Sequence, residues 1–600
     1  MTHAGMKSAR NWLARSAGHP RLPWGLGLLA ILLTLPALAT GFQFDDYLVR
    51  AALRGPRGPA ALPAALNQAF VFMDGNAAHG LAQMVSGAYP WWALPEGQVA
   101  FWRPLAALSH WVDFAVWPSQ PVVMHLHSLL WLGLLVAAAA GLYRQVGSNY
   151  GPLVAGLAGL LFALDHAHGF ATSWLSNRNI LLAALFGVLA IAAHARWRRD
   201  AWRAGAVLAP LLLLLALLSA EAAVATLAYL LAFAVCLDRG AWRARLFSLA
   251  PAAGTVLAWR LVYRAAGYGA WGTSYLDPLR EPWPYLQAIA ERAPVLLLGQ
   301  WFLPPAEYVA VFGLTAARLA WLAAIVLVLL LGWLFRPVLR RSATARFWAA
   351  GMLLAVVPAC AALPANRLLF FVGLGAMGLL AEFLLAGLAP GLGLRDWEAW
   401  ATSGATGVLL AVHLIMSPAL LPLMAFSPAL LGGLGHGLDG PIASLPDDPR
   451  LAQQTAVIVF APNFADTGYI GLLRPSLGLP APARVRSLAS GFGPVTVTRS
   501  DGQTLTVTPV GGYVTGYDSV FRGSAHPLGL GQVVDLGDVQ VKVLALTADG
   551  RPARVAFHFS MPLEDPGLRW FRWQGWVYVP FAPPAAGTTI QLPSLASASP

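Results

Sequence analysis

The sequence predicts an α-helical polytopic membrane protein with about eleven transmembrane helices, followed by a C-terminal all-β extracytoplasmic domain. Of its 600 residues, 58% are hydrophobic and only 11% are charged, and the mean hydropathy is +0.61. Apolar runs alternate with short basic segments up to about residue 425, after which stretches of period-two alternation take over. This composition excludes a soluble globular protein.

The charge distribution argues against nucleic acid as a partner. The formal net charge is +12 and the pI is about 10.1. The basic residues lie mainly between apolar runs rather than in a patch with interleaved aromatic residues, which is typical of the positive-inside pattern of membrane proteins. Cys236 and Cys360 both fall inside apolar runs, so we expect no disulfide and no cysteine-based metal site.

The chain begins with a basic segment, and we expect residues 1–22 to be cytoplasmic. The apolar run Trp24–Thr40 follows and is long enough to cross a hydrocarbon core of roughly 30 Å. The pattern is similar to a signal peptide, and Ala37-Leu38-Ala39 offers a cleavage site. We interpret the run as a retained anchor because it is long and many further spans follow.

The membrane domain is predicted to cover residues 23–425, with a long first extracytoplasmic loop at 42–119. Within that loop, Phe101–Trp117 has the mixed character of a helix lying along the interface. Residues 293–305, interrupted by Pro304 and Pro305, are interpreted as a re-entrant segment. The spans are predicted at residues 24–40, 121–142, 152–165, 179–195, two short spans within 205–237, 246–263, 308–335, 346–363, 367–388 and 402–424.

This arrangement sorts the charged residues by side. The basic segments, including Arg144 and Arg336–Arg346, all fall on the cytoplasmic side. The opposite side collects the polar residues at the other ends of the spans: Asp45, Asp46, the 166–178 turn, Glu221, the 265–292 loop with Tyr275, Asn366 and Arg367. An odd number of spans also places the C-terminal domain in the periplasm.

A linker at 426–452 is predicted to precede a periplasmic β domain at 453–600. Asp501-Gly502 and Asp549-Gly550 each separate two alternating runs, which is a strong hairpin signal. We expect this domain to fold without the membrane part. Its aromatic run, Trp570–Tyr578, is either a platform for sugar stacking or a packed strand, and we favour the packed strand because aromatic residues are common in strands.

Asp45 and Asp46 are the first candidate site residues. They follow directly on the first apolar run, within Gly41–Tyr47, where lipid and apolar side chains limit hydration. Carboxylates in such surroundings have shifted pKa values and can serve as acid, base or ligand. The alternative is a solvated pair that merely marks the end of a helix, and the polar residues at other helix ends on the same side favour the functional interpretation.

Several short stretches, taken together, carry a family resemblance. They are Phe42-Gln43-Phe44-Asp45-Asp46, Trp102-Arg103-Pro104-Leu105 with Asp113, His125-Leu126-His127, Leu161-Phe162-Ala163-Leu164, Trp174-Leu175-Ser176-Asn177-Arg178, Leu218-Ser219-Ala220-Glu221 and Ala365-Asn366-Arg367. In this order, over about residues 24–390, the membrane part resembles the GT-C class of polytopic glycosyltransferases and is most similar to the protein O-mannosyltransferase branch that carries tetratricopeptide repeats in eukaryotes.

The resemblance implies a sugar donor linked to a polyprenyl phosphate and an essential acidic residue in the first extracytoplasmic loop, here Asp45 or Asp46. The chain departs from the family in three places. It has Asp165-His166-Ala167-His168 where the branch shows His-Pro and an acidic residue, and Ala365-Asn366-Arg367 where it shows Ala-Glu-Arg. No tetratricopeptide repeat is visible, so the acceptor and the sugar are not carried over.

Three arginines are candidate ligands of the donor phosphate: Arg103, Arg178 and Arg367. Guanidinium groups bind phosphate bidentately and stay charged near lipid, and we favour this role for Arg178 and Arg367, which sit at helix ends in matching motifs. The alternative for each is interfacial snorkelling.

Five further residues are expected to support the site. Glu221 is either an arginine partner or a polar residue at a kink, and the two interpretations stay open. His166 and His168, with Asp165, are interpreted as a hydrogen-bonded turn rather than a metal cluster, since no other chelating spacing accompanies them. No cofactor is assigned and a requirement for a divalent metal is left open. The supporting residues are Asp113, His166, His168, Glu221 and Asn366.

The expected function is therefore an inverting transfer of a hexosyl or pentosyl group from a polyprenyl-phosphate donor to an extracytoplasmic protein, lipid or glycan. The expected partners are that donor, an unidentified acceptor and the lipid bilayer. Residue usage rich in Ala, Leu and Arg and poor in Lys suggests a bacterium of high genomic GC content, hence its inner membrane. Two alternatives stay open, namely a non-catalytic envelope assembly factor and a transporter.

Overall fold

The fold was analysed in a computed structural model that describes residues 15–55, 58–59, 61–148, 150–307, 314–387, 396–431 and 438–595. Helices dominate up to residue 431, and β-sheets dominate after residue 454. The chain therefore has the two-part layout that its composition predicts.

Seven helices in the described ranges are long and apolar enough to cross a membrane, so the chain fits a multi-pass membrane protein. These helical segments are Leu22–Ala39, Pro121–Val146, Pro152–Thr172, Leu175–Asp200, Trp242–Ala265, Ala316–Arg341 and Ser403–Ser427. Four shorter apolar helices lie between them: Gly205–Leu217, Glu221–Cys236, Ala343–Ala359 and Phe370–Ala386. An apolar helix thus lies at each predicted span, whereas the count of eleven crossings stays a prediction.

The long apolar helices pack closely through small residues. A side chain on Gly27 would collide with the backbone carbonyl of Gly133, so the first two spans touch at backbone distance. Gly375 likewise leaves room for the Tyr229 ring beside the Trp348 carbonyl. The centre of the bundle is filled by large side chains: Tyr143, Phe162, Tyr229, Phe347, Trp348 and Phe370.

The helices outside the main spans match the predictions in part. Pro104–Val116 is a helix, as expected for the interfacial segment of the first loop. Residues 293–301 of the predicted re-entrant segment belong to the continuous helix Pro282–Trp301, and the re-entrant path itself stays a prediction. That helix accommodates Pro294 and ends before Pro304 and Pro305. The other helices in these loops are Asp45–Leu53, Leu62–Gln68 and Ala77–Ser86.

A small antiparallel sheet ties the first loop to the 265–292 loop. Its strands are β3 (Val71–Asp74), β4 (Gln98–Ala100) and β5 (Gly269–Trp271), with β4 in the middle. Two shorter strands, β1 (Arg54–Gly55) and β2 (Gly58–Pro59), form a separate ribbon. The two long extracytoplasmic loops predicted from sequence therefore form one unit.

The C-terminal region contains two sheets. Their strands are β6 Thr455–Ile458, β7 Arg484–Ser487, β8 Val495–Arg499, β9 Thr504–Pro509, β10 Val533–Asp535, β11 Val539–Leu546, β12 Pro552–Phe559, β13 Leu568–Gln574, β14 Val577–Pro580 and β15 Thr589–Leu592. One sheet has the order β10-β11-β12-β9-β8-β15 and is antiparallel, and the other has the order β14-β13-β6-β7.

The prediction of an all-β domain needs correction. In the four-stranded sheet β6 runs parallel to both β7 and β13, and a parallel pair needs a crossover connection. The helices Ala465–Gly468 and Ile470–Ser476 provide it between β6 and β7. The predicted boundary at 425 also falls inside the helix Ser417–Leu431, and the predicted linker contains the helix Asp439–Ala443.

The C-terminal region shares its core with the first loop, and its folding as an independent domain stays a prediction. Trp91 and Trp92 of that loop are buried in one cluster with residues of the C-terminal strands. The Arg522 guanidinium donates hydrogen bonds to the carbonyl oxygens of Trp92, at 2.6 Å, and Ala93, at 2.9 Å. Strand periodicity cannot reveal a core that is completed by a segment some 400 residues away.

The aromatic run Trp570–Tyr578 is mostly core, as the favoured interpretation predicted. Trp570, Phe571, Trp573 and Tyr578 are buried, and Trp576, at the turn between β13 and β14, is the one aromatic residue of the run that is exposed. The sugar-platform alternative is therefore not supported for the run as a whole.

Candidate functional site

Asp46 is buried and holds two extracytoplasmic segments together. One carboxylate oxygen accepts hydrogen bonds from the Ser176 backbone N–H and hydroxyl, both at 2.6 Å. The other accepts from the backbone N–H groups of Gln43, at 2.9 Å, and Leu175, at 3.3 Å. Burial raises the pKa of Asp46 to about 7, and the hydrogen bonds from Ser176 and Gln43 act against that rise. With every acceptor position occupied, Asp46 fits a structural role better than a catalytic one.

Asp45 begins the helix Asp45–Leu53 and is in the opposite situation. Its side chain is partly exposed and has no hydrogen bond or ion pair with any residue that the structure describes. The protein around it raises the pKa of Asp45 to about 6 by limiting hydration, while the positive charges of Arg367 and Arg103 lower it. Such a carboxylate is ionised at neutral pH and free to accept a proton.

Arg367 lies in the turn Asn366–Leu368 that precedes the helix Phe370–Gly387. Its guanidinium donates to Asn177 Oδ1 at 3.0 Å, stacks over the Trp174 ring at 4.9 Å and lies within electrostatic range of Tyr275. Within the described part of the chain, no carboxylate lies within ion-pair distance of this cation. Arg367 therefore has no ion-pair partner among the described residues, and its positive charge acts on Asp45.

Two N–H donors beside Arg367 also lack acceptors. Asn177 Nδ2 and Trp174 Nε1 are enclosed by protein and make no hydrogen bond within the described residues. Asn177 is 4% exposed, so the missing bond is not simply made to bulk water. Of these three groups, the Arg367 guanidinium is the one suited to bind a phosphate, since the two N–H donors are enclosed by protein.

Arg103 is already paired. Its Nε and Nη2 donate to the same Glu221 oxygen at 2.9 and 2.7 Å, which confirms the arginine-partner interpretation of Glu221. The guanidinium also lies over the Phe101 ring at 4.2 Å. The other oxygen of Glu221 has no hydrogen-bond partner among the residues described. Arg103 thus contributes positive charge near Asp45 with its hydrogen-bonding donors partly committed.

The phosphate-ligand prediction for Arg178 needs correction. The Arg178 side chain is fully buried, and its Nη1 lies 2.5 Å from Asp113 Oδ2. Its remaining donors are used within the protein: Nε donates to Ser128 Oγ, Nη1 to Ser109 Oγ and Nη2 to the Met124 carbonyl. Asp113 is also bonded to His127 at 2.8 Å. Arg178 and Asp113 therefore form a structural ion pair inside the helix bundle.

His166 and His168 lie in the hydrogen-bonded turn that the sequence predicted. Asp165 Oδ1 accepts from the Ala167 backbone N–H, and His166 Nδ1 lies 3.1 Å from Ser417 Oγ. The His168 ring stacks on Phe370 with centroids 4.5 Å apart. No group of three or more His, Cys, Asp or Glu side chains in the described ranges is placed to hold a metal ion.

Asn366 positions a residue that the sequence analysis missed. Its backbone N–H donates to Glu307 Oε1 at 2.7 Å, and its Oδ1 accepts from the Ala306 N–H at 2.9 Å. Burial raises the pKa of Glu307, and its second carboxylate oxygen has no partner among the described residues. Glu307 is isolated in sequence from every quoted stretch, so no pattern pointed to it.

Trp174, Asn177 and Tyr275 were also not assigned roles. Trp174 and Asn177 belong to the stretch that carries the family resemblance, and Tyr275 lies in a loop predicted to face the same side, so the signal was present. What the sequence could not show is that all three lie near Arg367.

Comparison with known proteins adds no assignment. The chain matches no protein-family model, and no curated protein is significantly similar to it.

The site can therefore be defined by its own geometry. It combines a free carboxylate (Asp45) with a cation that has no ion-pair partner among the described residues (Arg367). A free carboxylate can take up a proton, and the cation can stabilise developing negative charge. The helix ends that carry them all belong to the side that the charge pattern predicts to be extracytoplasmic.

Proposed function

We propose that this chain is a membrane glycosyltransferase that moves a sugar from a polyprenyl-phosphate donor to a hydroxyl group of an extracytoplasmic acceptor. The observation that carries the proposal is that Asp45 has no hydrogen-bond or ion-pair partner among the described residues. The positive charge of Arg367, which has no carboxylate partner there either, lowers the pKa of Asp45. The motif order resembling GT-C glycosyltransferases supports it, as does the multi-pass layout, which gives a lipid-linked donor access from the bilayer.

The reaction is a single displacement at the anomeric carbon. Asp45 takes the proton of the acceptor hydroxyl as its oxygen forms a bond to that carbon, and the bond between the carbon and the phosphate oxygen breaks. The products are the glycosylated acceptor and polyprenyl phosphate, which leaves with the bonding electron pair. Because one displacement occurs, the configuration at the anomeric carbon is inverted.

The leaving phosphate gains negative charge during this step. Arg367 supplies a permanent positive charge for it, from a guanidinium that is held in place by Asn177 and the Trp174 ring. Arg103 adds a more distant positive charge that its pairing with Glu221 reduces. Donors fixed in advance cost no reorganisation when the charge develops.

The Arg367 role is tested with purified protein in lipid nanodiscs. We expect Arg367→Ala to weaken the binding of undecaprenyl phosphate by about tenfold or more, the size of one lost charge-assisted contact. Arg264→Ala is the matched control. Arg264 is an exposed arginine in the last turn of the helix Ala250–Ala265, at a helix end that is predicted to face the same side of the membrane as Arg367. Equal loss in both variants would mean general attraction of the lipid anion, and no loss in Arg367→Ala would refute the site.

A non-catalytic assembly factor accounts for the large C-terminal region but gives no reason for a free carboxylate at Asp45. A transporter gives no reason for collecting the uncompensated groups at helix ends rather than at mid-membrane. We therefore favour the transferase. In a bacterial cell it would lie in the inner membrane, with the C-terminal region in the periplasm.

A further inference from the structure

One turn of the C-terminal region, Gly516–Val520, contacts the loop that carries Tyr275. The Ser274 backbone N–H donates to the Ser519 carbonyl at 3.0 Å, and the Gly523 N–H donates to the Gly272 carbonyl at 3.0 Å. A side chain on Gly523 would collide with the Thr273 backbone, so the two segments pack without intervening side chains. This turn is thereby fixed against the loop that carries Tyr275.

The Tyr275 loop is in turn fixed to the segment before Arg367. The Leu276 N–H donates to the Ala361 carbonyl at 2.8 Å. Arg292 Nη1 bridges the same two segments by donating to the carbonyl oxygens of Ser274, at 3.1 Å, and Ala362, at 3.0 Å. A continuous chain of backbone contacts therefore sets the position of the C-terminal turn relative to Arg367.

Tyr517 is the residue of this turn that stands out. Its side chain is 48% exposed although both neighbours in the chain are held in place. It lies within electrostatic range of Arg367, Tyr275 and Glu307, the residues that surround the proposed phosphate position. An aromatic ring that is exposed on a fixed backbone beside a binding site can contact a ligand at little cost in ordering.

Three half-buried rings lie near Arg367. Trp174 stacks on the guanidinium, Tyr275 lies within electrostatic range of it, and Phe101 packs against Tyr275 with ring centroids 5.5 Å apart. Tyr517 adds a ring from a different part of the chain. Flat apolar faces with a polar edge suit a ligand that has both apolar C–H groups and hydroxyl groups.

We propose that Tyr517 of the C-terminal region contacts the sugar of the phosphate-linked donor, so that this region completes the donor site and lets it distinguish a sugar-bearing polyprenyl phosphate from the bare lipid phosphate. The inference rests on the proposed function. It assigns the sugar to the exposed ring on the turn that is hydrogen-bonded to the Tyr275 loop, since a sugar joined to a phosphate must lie one bond from the group that the cation holds. A non-covalent contact is all that is required of Tyr517.

The test compares two ligands on the full-length protein in nanodiscs. The probes are undecaprenyl phosphate and a panel of undecaprenyl phosphate-linked glucose, mannose and arabinose. The affinity of the panel member that binds best is compared with the affinity of the bare lipid phosphate. We expect the wild type to prefer that member over the bare lipid by about tenfold, the size of one good aromatic contact. Tyr517→Ala should abolish the preference while leaving the affinity for the bare lipid unchanged, and Tyr517→Phe should retain it.

Phe492→Ala is the matched control, because Phe492 is an aromatic residue of the same region with 46% of its surface exposed. It should behave as the wild type. Two results for Tyr517→Ala would overturn the inference while leaving the proposed function standing. In one, the variant keeps the wild-type preference for the sugar-bearing lipid. In the other, it loses affinity for the bare and the sugar-bearing lipid equally. Failure of the wild type to bind any of these lipids would overturn the proposed function itself, and the inference with it.

Discussion

Arg367 lies within electrostatic range of Asp45 without forming an ion pair with it, and neither side chain is neutralised by another within the described part of the chain. A buried or half-buried charge is costly unless it is paired, so two such groups kept apart point to a ligand that completes them. Asp46, one residue along, shows the contrast, since all its acceptor positions are filled by the protein.

The first prediction concerns pH. Surrounding protein raises the pKa of Asp45 to about 6, and a base acts only in its ionised form. Transfer should therefore fall as the pH drops through about 6 and level off above about 7, measured as kcat/KM at limiting donor. In Asp45→Glu this dependence should shift, whereas in the exposed-site control Asp535→Asn it should not. A profile that is flat between pH 5 and 8 in the wild type would argue against Asp45 as the base.

The second prediction separates the two aspartates. Asp46→Ala leaves the buried N–H groups of Gln43, Leu175 and Ser176 without an acceptor, and each such group costs about 1–3 kcal/mol. The thermal unfolding temperature should fall clearly in Asp46→Ala and stay within experimental error in Asp45→Ala, which has no hydrogen bond to lose. Equal stability of the two variants would contradict the structural role of Asp46.

The third prediction concerns the buried pair of Arg178 and Asp113. Removing one partner leaves an uncompensated buried charge, and this costs about 3–5 kcal/mol. Arg178→Met and Asp113→Leu should each destabilise the protein strongly, and the double variant should lose less than the sum of the two, as measured by denaturant unfolding. Strict additivity would contradict the coupling of the two side chains. A specific loss of donor binding in a stable Arg178→Met protein would restore Arg178 as a phosphate ligand.

The fourth prediction concerns the core shared by the first loop and the C-terminal region. Trp92 is fully buried there, so Trp92→Ala should destabilise the C-terminal region by about 3–5 kcal/mol and expose it to protease. Trp576→Ala is the matched control, since that ring is 47% exposed and its loss should change stability little. If a fragment beginning at residue 450 folds cooperatively alone, the shared core is not required.

The sequence predicts the helical layout well because membrane spans leave a direct compositional signal. Each predicted span has an apolar helix at its position, and Asp45 was singled out from the end of the first one. Hydrophobic runs and their flanking charges are local properties, so a single sequence suffices to find them.

What the sequence could not supply depends on contacts between distant segments. Asp45 and Asp46 are adjacent and chemically identical, and only the approach of Ser176 shows that one is committed and the other free. Arg178 and Arg367 likewise stood in equally good motifs until Asp113 was found against Arg178. The two tryptophans that complete the C-terminal core lie in the first loop, where no strand pattern marks them.

The most direct test of the account measures sugar transfer and donor binding in the same Asp45→Asn protein. Purified wild type and variant in nanodiscs are given labelled undecaprenyl phosphate-linked sugar, and label released to water or to an envelope extract is counted alongside the affinity for undecaprenyl phosphate. Because Asn keeps the size and polarity of Asp but cannot act as a base, we predict that transfer falls by ~10² or more. The affinity for undecaprenyl phosphate should remain at the wild-type level. Transfer at the wild-type rate in Asp45→Asn would contradict the central claim.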